Sequence, residues 1–311
     1  MIVRSDGWQW AWDGKAENPI PDLFPVTVWP EEQLRYKGHY PYGDEIIISY
    51  SVQGRGVLES PKLERIGENP VIHHRLTVHA GENPLELIVL DDQPEIKGKT
   101  ATIGYSIAWL QAKHDGVKFR ASENGKLVLH IPASSKTLHL NVALSHDESD
   151  SLKQQTPSHQ VVNLLEHTRG GPRRWKTTHT LKGRLTTSSF QGYVMDSITV
   201  PLKNAYNSWM RTSSLAFFPD GRLAVGTLPG DVWIVSGIND QLDQITWQRF
   251  AAGLYEPLGM KVVDGVLTAI TRGRIVKLHD YNNDGEADFY EAFFNENEPD
   301  KGWHAYNFDL E

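Results

Sequence analysis

Cysteine is absent from all 311 residues. Its absence excludes disulfides, thiolate nucleophiles, iron–sulfur clusters and covalently attached c-type haem within this chain. Long apolar runs are also missing, and none approaches the roughly 18 residues that a membrane-spanning helix needs. The segment from Met1 to Trp8 lacks the charged and apolar regions of a signal peptide, so we expect either a cytosolic protein or a start that is not the native one.

Positive charge is the scarcer sign, with 31 Lys and Arg against 39 Asp and Glu, and a net charge of −8. A chain without a concentrated basic field is a poor candidate for binding nucleic acid. The sequence also has no Gly-x-Ser-x-Gly motif, no phosphate-cradling glycine loop and no zinc signature, so hydrolase and nucleotide-binding functions lack support.

Alternating apolar and polar residues dominate the first 150 positions. In the run 45–52, Ile46, Ile48, Tyr50 and Val52 share one face of a strand, and the runs 127–131 and 138–144 repeat the pattern. Such alternation predicts strands with one packed face and one face in water. Turn residues separate the runs, and we see no amphipathic helix, so residues 1–150 are predicted to form an antiparallel β-sandwich.

Residues 151–204 are interpreted as a linker with connecting strands. The stretch 145–158 is polar and buries little. The sequence Gly170-Gly171-Pro172 marks a second boundary. Arg173, Arg174 and Lys176 form a small basic patch there, which we interpret as solvated.

Residues 205–311 contain a repeat whose Asp-Gly turns, at Asp220 and Asp264, lie 44 residues apart. Each copy continues into another pair of predicted strands, and four strands per roughly 40–50 residues is the period of a propeller blade. We therefore predict a partial β-propeller of about two blades, with a third beginning at His304. A ring needs at least about four blades, so we expect a fragment of a longer protein. The alternative is that these strands extend the sandwich.

Several motifs resemble an uncharacterised bacterial family that is known only as a domain of unknown function and often carries a c-type haem domain. The sandwich motifs are residues 35–40, Gly43-Asp44 and Ser49-Tyr50; the propeller motifs are residues 208–211, 217–221, 230–237, and 278–280 with 284–288. The resemblance implies a propeller similar to those of quinone-dependent glucose and sorbosone dehydrogenases. It implies pyrroloquinoline quinone as cofactor of the full-length protein, a haem domain of the same parent as electron acceptor, and a periplasmic or secreted location. This chain itself has no haem motif.

The segment that begins at residue 280 has the ligand spacing of a calcium loop. Oxygen-bearing side chains fall at loop positions 1, 3, 5, 9 and 12, a glycine stands at position 6, and position 7 offers its backbone carbonyl. The predicted ligands are Asp280, Asn282, Asp284, Glu286, Asp288 and Glu291. The preceding residues alternate like a strand, so the loop is predicted to join two strands, where calcium would be structural. The alternative is a polar hairpin whose Asp and Asn side chains cap their own backbone.

The resemblance also implies a role for His304. In the quinone dehydrogenase propellers a histidine at the start of a blade's inner strand is the general base on the substrate hydroxyl, and an imidazole with a pKa near 6.5 suits that transfer. The alternative is an ordinary loop histidine. Arg272 and Arg274 are candidates for contact with an anionic quinone, but surface arginines are the simpler interpretation.

Two further groups of residues are candidates for ligand binding. Trp8, Trp10 and Trp12 share one face of an extended segment, where they could stack on sugar rings or pack in a core. His73, His74 and His79 lie along one strand, but His73 and His74 point to opposite faces, so we interpret them as solvated and not as metal ligands.

Two functional classes remain. The first is a redox enzyme that oxidises a sugar or alcohol and passes electrons to a haem domain. The second is a non-catalytic module that binds carbohydrate or protein. Fold resemblance alone does not decide between them.

Overall fold

The computed structural model describes residues 9–10, 32–146, 152, 157–158, 160–187 and 193–295. Within these ranges the chain is all-β, with antiparallel sheets and no α-helix, which confirms the predicted fold class. No helix in this part of the chain is long and apolar enough to cross a membrane. The chain divides into two compact units, Met1–Thr168 and Arg169–Glu311.

The first unit contains strands β1 to β12 and a 3₁₀ helix at Leu164–Thr168. One sheet has the strand order β1-β6-β11-β10, and the other runs β2-β3-β4-β5-β12-β9-β8-β7. The strands are β1 Gln9–Trp10, β2 Leu34–Tyr42, β3 Glu45–Val52, β4 Arg55–Ile66, β5 Asn69–Val78, β6 Leu85–Leu90, β7 Glu95–Lys97, β8 Thr100–Ile103, β9 Ser106–Ala112, β10 Lys118–Ala121, β11 Leu127–Ile131 and β12 Leu138–His146.

The two sheets pack face to face around one apolar core, as the predicted sandwich requires. Leu127, Leu129 and Ile131 of β11 are fully buried in this core, opposite Leu76 and Leu140 of the larger sheet. Each of these side chains stabilises the fold by about 1.5–3 kcal/mol through removal from water.

The second face of the larger sheet is not in water, contrary to the sequence interpretation. His73, Thr77 and Asn141 on this face are fully buried, as are the apolar side chains of Val71 and Ile47. Leu152 and the 3₁₀ helix cover the face, with Leu164 packed on Ile47 and Leu58 and Leu152 packed near Val71. A polar face can be buried in this way only because its side chains find hydrogen-bond partners there.

The second unit contains two further antiparallel sheets. The first has the order β13-β17-β16-β15-β14, and strands β18, β19, β20 and β21 follow one another in the second. The strands are β13 His179–Leu181, β14 Thr212–Phe217, β15 Leu223–Thr227, β16 Val232–Ser236, β17 Ile245–Ala251, β18 Gly259–Val263, β19 Val266–Thr271, β20 Arg274–His279 and β21 Phe289–Phe294. The strand pairs predicted from the 44-residue repeat are therefore present.

These two sheets pack on each other through one apolar cluster. Ala224 and Ile234 of the first sheet and Leu267, Val276 and Leu278 of the second belong to it. β14, an edge strand of the first sheet, and β18, the first strand of the second, lie side by side. No closed ring forms among the described residues.

The outer face of the first sheet is covered over most of its width. Trp233, Val235 and Trp247 pack there against residues from the segment 181–206. The cover stops before β14, where Leu215 and Phe217 point to the same face and remain 61% and 65% exposed.

Candidate functional site

The predicted calcium loop joins β20 to β21 in the second unit, as the sequence predicted for a turn between strands. The side chains at loop positions 1, 3 and 5 accept hydrogen bonds from backbone N–H groups of the turn. Asp280 accepts hydrogen bonds from the N–H groups of Asp284 and Gly285, at 3.2 and 2.9 Å. Asn282 accepts a second bond from the Asp284 N–H at 3.0 Å, and Asp284 accepts one from the Glu286 N–H at 2.9 Å.

Gly285 provides the sharp bend at loop position 6. Its φ of 85° lies in the left-handed region that favours glycine, and a Cβ there would collide with the amide of Gln248. That amide donates to the carbonyl oxygens of Asp284 and Gly285, at 3.3 and 2.8 Å. The turn is thus held by a neighbouring strand as well as by its own carboxylates.

Glu286 faces the segment 169–175, whereas Asp288 bonds both to that segment and to the N–H groups of the turn. The buried Glu286 carboxylate accepts N–H bonds from Arg174 and Trp175, at 2.8 and 2.6 Å. Asp288 accepts the N–H of Gly171 at 2.9 Å through one oxygen and that of Tyr281 at 2.8 Å through the other. Of Glu286, only the backbone carbonyl is left to act as a ligand, which is the role that the sequence assigned to it.

Glu291, at loop position 12, bonds to a histidine of the neighbouring strand. Its Oε2 lies 2.6 Å from Nε2 of His279. The His279 ring also stacks with Tyr281 and Phe289, at centroid distances of 5.5 and 5.8 Å. To bind a metal, Glu291 would have to exchange this partner.

The negative charges of the carboxylates in the turn repel one another. Burial raises the pKa of Asp280, and the carboxylates of Asp284 and Asp288 raise it further, against the opposing hydrogen bonds from the backbone of Gly285 and Asp284. A cation would relieve this repulsion. The described part of the chain nevertheless holds no group of three or more His, Asp or Glu side chains arranged to bind a metal ion. The arrangement therefore fits calcium only at the first three positions, and calcium binding stays a prediction.

The other residues that the sequence suggested do not come together in one site among the described residues. His304 lies outside the described residues, as do Trp8 and Trp12. Trp10 is buried against Tyr50, with the ring centroids 6.2 Å apart, so it packs in the core. Arg272 donates to the hydroxyl of Tyr255 at 3.3 Å and lies 3.9 Å from Glu256, which gives it partners within the protein.

A buried polar layer in the first unit was missed by sequence reasoning. Arg75 donates to both oxygens of Glu45 and to the hydroxyl of Ser60. Beside it, His73 bonds to Glu64 through Nε2 at 2.8 Å and accepts from Asn141 through Nδ1 at 3.0 Å. The interpretation of His73 as solvated is therefore wrong.

The signal that could have revealed this layer is the mixture of residues on one face. That face alternates along β5 as His73, Arg75 and Thr77, which are large polar groups able to bond to one another. Sequence periodicity identifies the face but not what covers it.

A comparison with known families concerns the start of the chain. Residues 1–59 match a domain of unknown function (DUF6797). The match includes β2, β3 and the first residues of β4, where the motifs at 35–40 and 49–50 lie. It supports the resemblance to an uncharacterised family for this segment, well under half of the chain. No curated protein matches the chain.

Proposed function

We propose that the second unit supplies blades of a β-propeller similar to those of quinone-dependent sugar and alcohol dehydrogenases. The observation that carries this proposal is the packing of the five-stranded sheet β13-β17-β16-β15-β14 on the four successive strands β18 to β21, with β14 beside β18. Blades of a propeller follow one another in this way around a central channel, which their first strands line. The 44-residue repeat supports the same arrangement.

The proposed activity is the oxidation of a sugar or alcohol, with electrons passed to a c-type haem domain. When bound, pyrroloquinoline quinone would accept the two electrons released as the alcohol becomes a carbonyl compound. His304 is the proposed base for the substrate hydroxyl, on the sequence resemblance alone. A periplasmic or secreted location belongs to the same proposal.

The 311-residue chain is expected to be inactive by itself. A propeller's ligand site lies around its axis and is built from loops of several blades, whereas the described residues supply two sheets. Without the remaining blades, the positioning and electrostatic stabilisation on which catalysis depends are missing.

Dye reduction with a panel of sugars and alcohols tests the proposal. The assay is run with and without pyrroloquinoline quinone and calcium, on this chain and on a longer product of the same reading frame that contains further blades. We expect turnover only from the longer protein. Turnover by the 311-residue chain contradicts the inactivity, and a longer protein that binds no quinone contradicts the redox proposal.

The second candidate is a non-catalytic module that binds carbohydrate or protein. Exposed aromatic rings of the second unit favour it: Trp209 is 64% exposed, and Tyr255 and Phe217 are exposed to a similar degree. Such rings bind sugar faces and protein partners. Retention of the chain on an immobilised polysaccharide, lost in Trp209→Ala with unchanged melting temperature, would favour this candidate.

A further inference from the structure

Four of the eight residues from 169 to 176 are cationic, in a chain whose net charge is −8. They are Arg169, Arg173, Arg174 and Lys176. This segment opens the second unit, and it contacts the loop at 280–288 through Gly171, Arg174 and Trp175. The sequence interpretation of Arg173 and Arg174 as simply solvated does not hold, because both lie beside the buried carboxylate of Glu286.

Glu286 does not satisfy these two arginines. Its oxygens accept the backbone N–H groups of Arg174 and Trp175, while the Nε atoms of Arg173 and Arg174 stay 3.4 and 3.8 Å away. Nε and Nη2 of Arg173 and Nη2 of Arg174 are shielded from water and have no hydrogen-bond partner within the described part of the chain. These three N–H donors are thus not hydrogen-bonded, although both guanidinium groups remain ion-paired with Glu286 and that of Arg174 also interacts with the hydroxyl of Tyr290.

A third arginine joins this group from β17. Nη2 of Arg249 donates to Asp231, but its Nε is also shielded and lacks a partner among the described residues. The guanidinium carbons of Arg174 and Arg249 lie 4.3 and 4.8 Å from the centroid of the Trp175 ring. One indole therefore fixes two of the guanidinium groups in place.

The nearby carboxylates have other partners. Asp231 accepts from Ser208 as well as from Arg249, and Asp288 accepts the N–H groups of Gly171 and Tyr281. A charged donor that is removed from water without an acceptor is unfavourable. Guanidinium groups are suited to bind the paired oxygens of phosphate, sulfate or carboxylate.

Solvent access to the three arginines is retained. The side chains of Arg173, Arg174 and Arg249 keep 31%, 23% and 17% of their surface exposed. A small rotation of a guanidinium group would therefore turn an unpaired N–H towards an incoming ligand.

We propose that Arg174 and Arg249, which lie against Trp175, form a binding site for an oxyanion group together with Arg173, which lies beside Glu286. The group is a sulfate, phosphate or carboxylate, either as a free anion or carried on a saccharide. The site lies wholly in the second unit and does not depend on the proposed redox function.

Calorimetric titration at constant ionic strength, with inorganic sulfate, inorganic phosphate, glucose 6-sulfate and glucose as separate probes, tests the site. We expect the anionic probes to bind and glucose not to bind. The double variant Arg173→Gln/Arg174→Gln should lower the association constant by about tenfold or more, because charge-assisted bidentate bonds are lost. Tighter binding of glucose 6-sulfate than of sulfate would identify a saccharide as the carrier, and equal binding would identify the free anion.

The control is Arg211→Gln, which removes an exposed arginine of the same unit. Sulfate also stabilises proteins through exclusion from their surface, so an equal rise in melting temperature in all variants, without heat of binding, overturns the proposal. If the double glutamine variant does not fold, Arg173→Lys/Arg174→Lys replaces it. This variant keeps the charge but loses the planar guanidinium groups that can make two parallel hydrogen bonds. Binding as tight as that of the unaltered chain would then overturn the bidentate site.

Discussion

Arg75 holds the carboxylate of Glu45 with two hydrogen bonds, from Nη1 to Oε1 at 3.2 Å and from Nη2 to Oε2 at 3.0 Å. Lys62 adds a third bond to Oε1 at 2.8 Å. Burial acts to raise the pKa of Glu45, but the bonds and charges of Arg75 and Lys62 together lower it from 4.5 to about 2. The Arg75–Glu45 ion pair thus lies on the sheet face that the 3₁₀ helix covers.

This pKa predicts how stability depends on pH. A carboxyl whose folded pKa is depressed contributes stability that is complete above its unfolded pKa, near 4.5, and is lost as the pH falls through about 2. The contribution of Glu45 is about 2–3 kcal/mol. Glu45→Gln should therefore lower the free energy of unfolding by this amount at pH 7, and the difference from the unaltered chain should vanish near pH 2. Urea denaturation across this range measures it.

The matched control for Glu45 is Glu68→Gln, at an exposed turn between β4 and β5. It should leave the free energy of unfolding within about 0.5 kcal/mol. A Glu45→Gln variant that is equally destabilised at pH 2 and pH 7 would show that packing, and not charge, explains the effect.

Arg55 joins two loops of the first unit, the β5–β6 and β11–β12 connections, without a carboxylate. Its guanidinium donates to the carbonyl oxygens of His79, Asn83 and Pro132, at 2.8 to 3.2 Å. Arg55→Met should destabilise the chain by about 2–4 kcal/mol, because a buried side chain that donates to three carbonyl groups is lost. Thermal and urea unfolding measure the loss, and Arg65→Met, at an exposed position, is the control. A loss below about 0.5 kcal/mol would mean that water replaces the guanidinium.

Gly285→Ala should destabilise the loop whether or not calcium binds. The variant adds strain at a positive φ and pushes a methyl group into the Gln248 amide, and we expect a loss of about 1–3 kcal/mol. Gly221→Ala is the control, because its φ of 86° is nearly the same but open space surrounds its Cβ position. Equal losses in the two variants would show that backbone strain alone is responsible.

Calcium binding to the loop at 280–288 is tested by titration calorimetry and by melting temperature, with magnesium as the comparison ion. We expect a calcium-dependent rise in melting temperature that Asp284→Ala removes, because Asp284 is one of the three side chains at the centre of the turn. Asp240→Ala, at an exposed position, should have no effect on binding. Calcium that changes neither the heat signal nor the melting temperature would leave the loop as a polar turn.

Phe217→Ser tests whether the exposed edge of the first sheet is a packing face. In the 311-residue chain this substitution should change the free energy of unfolding by less than about 0.5 kcal/mol, because the ring is largely solvated. Leu223→Ala, on the buried neighbouring strand, should cost about 2–5 kcal/mol. If the proposed propeller has further blades, Phe217→Ser should become clearly destabilising in a product that contains them. A large loss already in this chain would contradict the exposure of Phe217.

The sequence alone determined the all-β class, the strands of β3, β11, β12 and β14 to β21, and the turn at Asp280, because strand periodicity and glycine-containing turns are local properties. It could not decide what covers each sheet face. Only the tertiary structure placed Leu164 over the polar face and brought Arg75 to Glu45, since those contacts join residues that are far apart in the chain. For the same reason it separated Glu286 from the other predicted ligands: a backbone segment more than 100 residues away supplies the N–H groups that its carboxylate accepts.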